Sequence, residues 1–262
     1  MEEARRRPQK GPPSLWPKEH GAYAEMAFPL LTGLALGRPK TAGLLMVVAA
    51  VIAFVLHEAL LVAVGLRGRR VGELLGAKAR RRLLVGGTVV VAAAVGGIAL
   101  ADDATRQLVA VPGVLALGVL GVVVARREKT TPGETLVAAT FSAALLPVAA
   151  ASGVALAPSI VAAVSWLFVF LLGTFTVRLT LERARKEPGP MRFVSPFASA
   201  VALATAGYAL QHSLAAIAVI PTACMTLWWW WRPVSPKRLK AVGWSLVAGN
   251  LFAFTVLVVT LR

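Results

Sequence analysis

Apolar residues arrive in this chain in long, nearly unbroken runs, at about 17–37, 41–66, 83–101, 107–125, 136–151, 157–181, 194–211, 213–231 and 242–261, and most charges collect between them. Most runs approach the roughly 20 residues a helix needs to cross a bilayer. The pattern predicts an all-α fold, a polytopic membrane helix bundle of about nine transmembrane helices. The fifth run is short and could begin in the loop before it. Only Gln211 and His212 separate the seventh from the eighth, so a tight hairpin is expected there. Residues 16–262 read as a single transmembrane helical domain. Residues 1–15 carry Arg5, Arg6, Arg7, Lys10 and three prolines, with no apolar core for a cleavable signal peptide, and read as a flexible basic cytoplasmic arm.

The distribution of charge orients the bundle. Of the 28 lysines and arginines, 23 fall in the arm, at Lys18 just after it, and in the stretches 67–82, 126–134, 182–193 and 232–240, while Arg38, Lys40, Arg106 and Arg262 fall on the opposite side. Basic loops stay inside, so this bias predicts an inside N-terminus and an outside C-terminus. Composition agrees: 57% of residues are hydrophobic, 15% are charged, and the mean hydropathy is +0.72, which excludes an ordinary soluble domain. The net charge of +16 argues for anionic lipid headgroups as the partner and not for nucleic acid, because the cations lie in short loops between apolar runs.

Several features have an ordinary packing explanation. Cys224 is the only cysteine, so neither a disulfide nor a thiolate cluster can form within one chain. Trp228 to Trp231 fit an interfacial aromatic belt, with a ligand-stacking platform as the alternative. Gly33 and Gly37 fit a close-packing pattern of small residues, and Pro29 and Pro147 are expected to kink their helices.

The exception is His57-Glu58, an ionisable pair inside the second run, where each mid-bilayer charge costs about 2.5 kcal/mol or more. Glu58 and Glu25 both lie about 12 Å from the inner ends of their predicted helices, and Arg178 lies about 6–8 Å from the inner end of the sixth. Lys18, Glu19 and His20 stand at the inner mouth of the first. Glu182 follows Arg178 by one helical turn. With Arg126 and Lys129 these residues form a candidate polar pocket facing the cytoplasm. One explanation is pairing between helices, Glu58 or Glu25 with Arg178 and Arg178 with Glu182. The other is a binding cavity, which the surplus of polar groups over pairing needs favours. Metal ligation by His20, His57 and carboxylates lacks any His-x-x-x-His or Glu-x-x-His spacing, so no metal and no cofactor is assigned. No nucleophilic triad, phosphate loop or dinucleotide motif is present.

Two resemblances bear on these residues. Trp16-Pro17-Lys18-Glu19-His20-Gly21-Ala22-Tyr23, then His57-Glu58 before a basic stretch, then Phe175-Thr176-Val177-Arg178, resemble the YwiC-like family of bacterial membrane proteins. Nine spans with an inside N-terminus are similar to the UbiA-type membrane prenyltransferases, whose active site lies on the cytoplasmic side. The stretch from Arg126 to Pro132 is similar to their basic segment after the fourth span. The aspartate motifs that hold Mg²⁺ in those enzymes have no counterpart: Asp102 and Asp103 are the only aspartates and fall on the outer side. The resemblance therefore implies either a divergent transferase or a binder of an anionic lipidic small molecule, with arginine and lysine in place of metal. A proton- or ion-coupled transporter and a non-catalytic assembly factor are the alternatives.

Overall fold

The computed structural model describes residues 14–17, 20–186, 189–233 and 239–262. Among them every regular element is helical: α1 (His20–Ala35), α2 (Thr41–Ala63), α3 (Arg69–Ala99), α4 (Asp103–Val124), α5 (Thr131–Ala151), α6 (Leu156–Arg185), α7 (Met191–Ala209), a 3₁₀ turn (Leu214–Val219), α8 (Ile220–Trp231) and α9 (Leu239–Leu261). Seven of the helical segments are long and apolar enough to cross a membrane. The 16-residue α1 falls short in length, and α7 does not qualify either. The chain is a multi-pass membrane protein, and its outer surface shows why: Val91, Leu117, Val259 and many other large apolar side chains are exposed, as a lipid solvent permits.

The order in space follows from burial. Nearly half of the apolar stretches of α5 and α6 is buried, against little of α3 and α4, so α5 and α6 form the centre and α3 and α4 the rim. Trp166 of α6 is fully buried, stacked between Phe28 at 5.5 Å and Phe170 at 5.2 Å. An indole N–H has no water to bond at that depth, and it donates instead to Thr32 Oγ1 of α1 at 3.0 Å. Buried hydroxyls join α6 to α8 in the same way, Thr176 Oγ1 lying 2.8 Å from Thr226 Oγ1.

Gly33 and Gly37 pack as the sequence pattern suggests. A Cβ on Gly33 would lie 3.1 Å from the Leu145 carbonyl oxygen of α5, and one on Gly37 only 2.3 Å from that of Ser152. The Arg38 N–H donates to the same Ser152 carbonyl at 2.9 Å, locking the ends of α1 and α5 together.

One expectation is corrected. The basic stretch 67–82 is not a loop, because α3 starts at Arg69 and runs unbroken through it. Alanine, leucine, arginine, lysine and glutamate are good helix formers, and Arg69 and Glu73 pair one turn apart at 2.8 Å. At 31 residues α3 is about 46 Å long, more than the roughly 30 Å of hydrocarbon, so its basic end projects from the membrane. That end is held down by small residues, Ala79 packing with Ala59, Val62 and Leu15. The eighth run is also divided, into the 3₁₀ turn and α8, with Pro221 in the first turn of α8.

Successive helices alternate in direction. The turns after α2, α4 and α6 meet at one end with the last turn of α8, through Arg67, Lys129, Arg178 and Arg183. The turns after α1, α3 and α5 meet at the other, where Arg106 donates to the Ile98 and Ala99 carbonyls. The first is hereafter the basic end.

Candidate polar site at the basic end

The short turn between α4 and α5 is the hub. Helix α4 ends in a paired C-terminal motif, with Arg126 N–H donating to the Val123 carbonyl and Arg127 N–H to that of Val122, both at 2.9 Å. This geometry puts Arg126 at φ +56°, a left-handed conformation that glycine adopts freely and arginine does not. Thr130 then caps α5, its hydroxyl accepting the Gly133 N–H at 3.3 Å. Gly133 lies so close to the turn that a Cβ would fall 2.5 Å from the Arg127 carbonyl oxygen. Arg126, Arg127 and Lys129 are therefore held facing outward, while the Glu128 side chain is half-buried.

Three neighbouring elements reach this turn. From α2, His57 Nε2 lies 3.9 Å from Glu128 Oε2. From the α2–α3 turn, Arg67 Nη1 lies 4.0 Å from Glu128 Oε1. Arg67 also holds Glu58 in a two-pronged pair, Nε donating to Oε2 at 2.9 Å and Nη2 to Oε1. Such fork geometry is the strong form of an arginine–carboxylate contact. From α6, Arg178 donates through Nε to Glu134 Oε2 at 2.5 Å and through Nη2 to the Lys129 carbonyl at 2.7 Å. None of these groups is sealed: the side chains of His57, Arg67 and Glu128 remain 34, 33 and 25% exposed, and that of Arg178 23%.

His57, Glu58, Lys129 and Arg178 thus come together around one turn, with Arg126 on its rim. The pairing differs from either expected arrangement. Arg178 is bonded to Glu134, neither to Glu58 nor to Glu182. Glu182 instead accepts the Met191 N–H at 3.2 Å and packs its carboxylate against Gly189, which fastens the α6–α7 turn. Glu25 is half-buried in α1. Lys18 and Glu19 lie outside the described residues, and His20 opens α1. Just before them, Trp16 lies under the Arg82 guanidinium at 4.3 Å, and Pro17 accepts the Tyr23 hydroxyl at 3.2 Å. Sequence reasoning missed Arg67, Glu128 and Glu134 as members of the network. Their signal was present, since charges flanking spans at the same end can reach one another as well as set topology.

Among the described residues no group of three histidine, cysteine or carboxylate side chains could hold a metal ion. At the opposite end Asp102 caps α4, its carboxylate accepting the Thr105 N–H at 2.8 Å. Hydrogen bonds from Thr105, with the cations Lys40 and Arg106 nearby, hold that carboxyl below its ordinary value.

A family model described as YwiC-like protein matches residues 16–150, half of the chain, and covers α1 to α5 with the polar turn between α4 and α5. No curated protein and no solved structure matches. The chain belongs to the YwiC-like family.

Proposed function

We propose that this YwiC-like membrane protein binds an anionic-headed lipidic small molecule at its basic end, which faces the cytoplasm, with the N-terminus inside and the C-terminus outside. The observation that carries this reading is the α4–α5 turn, where side chains from α2, the α2–α3 turn and α6 converge on Glu128 and Lys129 inside a rim of three outward cations. Arg67 and Arg178 already hold carboxylates in geometries that a phosphate or carboxylate head group could take over. Their partial exposure supports exchange, because a solvent-accessible pair loses little when its carboxylate is replaced by another anion. The hydrocarbon tail would lie against the apolar helix faces beside the turn. Arg67 and Arg178 would bind and orient the head group, and His57 would bring an imidazole to the same place.

Whether a group is transferred as well as bound rests on the likeness to the UbiA-type enzymes, a matter of span number and of the Arg126-to-Pro132 segment. The carrier reading is less supported, since the polar convergence lies at one end while the charges at the other, Arg38, Lys40, Asp102, Asp103, Arg106 and Arg262, are exposed at the surface.

The test is thermal unfolding of the purified full chain with a long-chain isoprenyl diphosphate or its uncharged isoprenol. Stabilisation by the diphosphate alone, lost in Arg67→Gln and unchanged by a chelator, is expected. Equal response to the two compounds would refute an anion-reading site, and abolition by chelator would refute metal-free recognition.

A further inference from the structure

A second arrangement, separate from the polar turn, lies where α6, α7 and α8 end together. A groove of about 720 Å³ opens there, lined by Arg183, Arg192, Phe193, Pro196, Phe197 and Trp231 among others. Its volume falls within the range of small-ligand sites. Phe193 and Phe197, one turn apart on α7, are 79 and 72% exposed, and Trp231 is 68% exposed.

The groove is held open by cross-bonds among the three helices. Arg183 of α6 donates to the Trp229 and Trp230 carbonyls at 2.8 and 2.6 Å, covering the end of α8. The Trp230 indole donates in turn to the Arg192 carbonyl of α7 at 2.8 Å. These bonds use two of the five guanidinium donors of Arg183 and none of Arg192's. Among the described residues neither guanidinium is paired with a carboxylate: Glu182 is turned to the Met191 N–H, and Glu187 lies outside those residues. Among the described residues, two cations therefore line one cavity with no anion paired to them, above a wall of phenylalanine and tryptophan.

We propose that this groove is a binding site for one anionic phospholipid, the phosphate seated between Arg183 and Arg192 and an acyl chain laid along Phe193, Phe197 and Trp231. Charge complementarity selects the head group, and the aromatic wall selects a chain over a free anion. The depth fits as well: indoles gather at the level of lipid headgroups, and the tryptophan run ends in this groove. Arg232, placed 5.0 and 5.5 Å from the Trp228 and Trp231 rings, marks the same interface from its far side. A bound lipid here would brace α7, the helix too polar to qualify as a span alone, against α6 and α8.

The full chain, stripped of lipid and titrated with phosphatidylglycerol or phosphatidylcholine of identical acyl chains, is followed by native mass spectrometry. The expected result is a single retained lipid with preference for phosphatidylglycerol. Arg192→Gln, which breaks no side-chain bond among the described residues, lowers that preference about fivefold. Lys78→Gln, exposed on α3 away from the groove, leaves it unchanged. Phe197→Ala weakens both lipids alike. Equal binding of the two lipids, full preference in Arg192→Gln, or an equal loss in Lys78→Gln would each overturn the proposal. Displacement of the lipid by inorganic phosphate would also overturn it, since the arginines would then be a site for the free anion.

Discussion

Neutralising Arg178 tests the network where it fastens α6 to the start of α5 and the turn before it. Arg178→Met removes a charge-assisted bond to Glu134 and a bond to the Lys129 carbonyl. A bond to a charged partner contributes about 1.5–3 kcal/mol when buried and a bond to a neutral carbonyl about 1 kcal/mol. With 23% of the arginine side chain and 38% of the glutamate exposed, screening brings the expected loss to about 2–3 kcal/mol. Glu134→Gln should cost about 1 kcal/mol, because Arg178 keeps its carbonyl partner and can extend toward water. The double variant should then show a coupling of about 1–2 kcal/mol. Glu58→Gln supplies the contrast, since Glu58 is held by Arg67 and shares no partner with Arg178, so that cycle should be additive within about 0.5 kcal/mol. Equilibrium unfolding of the five variants in one detergent decides the matter. A larger coupling to Glu58 than to Glu134 would refute this network.

Three further outcomes follow from other positions. Arg126→Gly should gain up to about 1 kcal/mol of stability, measured by unfolding, because it relieves a left-handed arginine, yet should reduce retention of an anionic ligand. Gly37→Ala should cost about 1–3 kcal/mol, since its Cβ would meet the backbone of Ser152; a thermal unfolding midpoint equal to the parent's would contradict the α1–α5 packing. The Asp102 carboxyl is held below its ordinary 3.8, so its contribution is complete above that pH and is lost as pH falls through the lower folded value. Asp102→Asn keeps a cap but should flatten this part of the acid unfolding profile.

The helices were legible because a lipid solvent writes them as uninterrupted apolar runs, and Trp166, Gly33 and Gly37 sit where such runs must pack. The start of α3 was not legible in the same way. Hydropathy stops at the bilayer surface while helix propensity does not, so Arg69 to Arg82 looked like a loop although, apart from Gly72, Gly76 and Val71, its residues favour helix. At the site, the depth of His57, Glu58 and Arg178 was readable from counting residues along each span. Their partners were not. Glu182 is one turn from Arg178 and seemed its natural mate, but the path of the α4–α5 turn brings Glu134 and the Lys129 carbonyl closer, a fact of tertiary packing with no local signature. The groove at Arg183 and Arg192 was hidden for the same reason, its tryptophans being visible only as a belt.

The central claim, that the basic end holds an anionic-headed lipidic molecule, is tested most directly by mass spectrometry of small molecules that leave the purified, intact protein on denaturation. The parent should release a phosphate- or carboxylate-bearing lipidic compound distinct from the glycerophospholipid of the groove, greatly reduced from Arg67→Gln and released normally by Arg192→Gln, which alters only the groove. Release of no such compound from folded parent protein, or equal release from parent and Arg67→Gln, would contradict it.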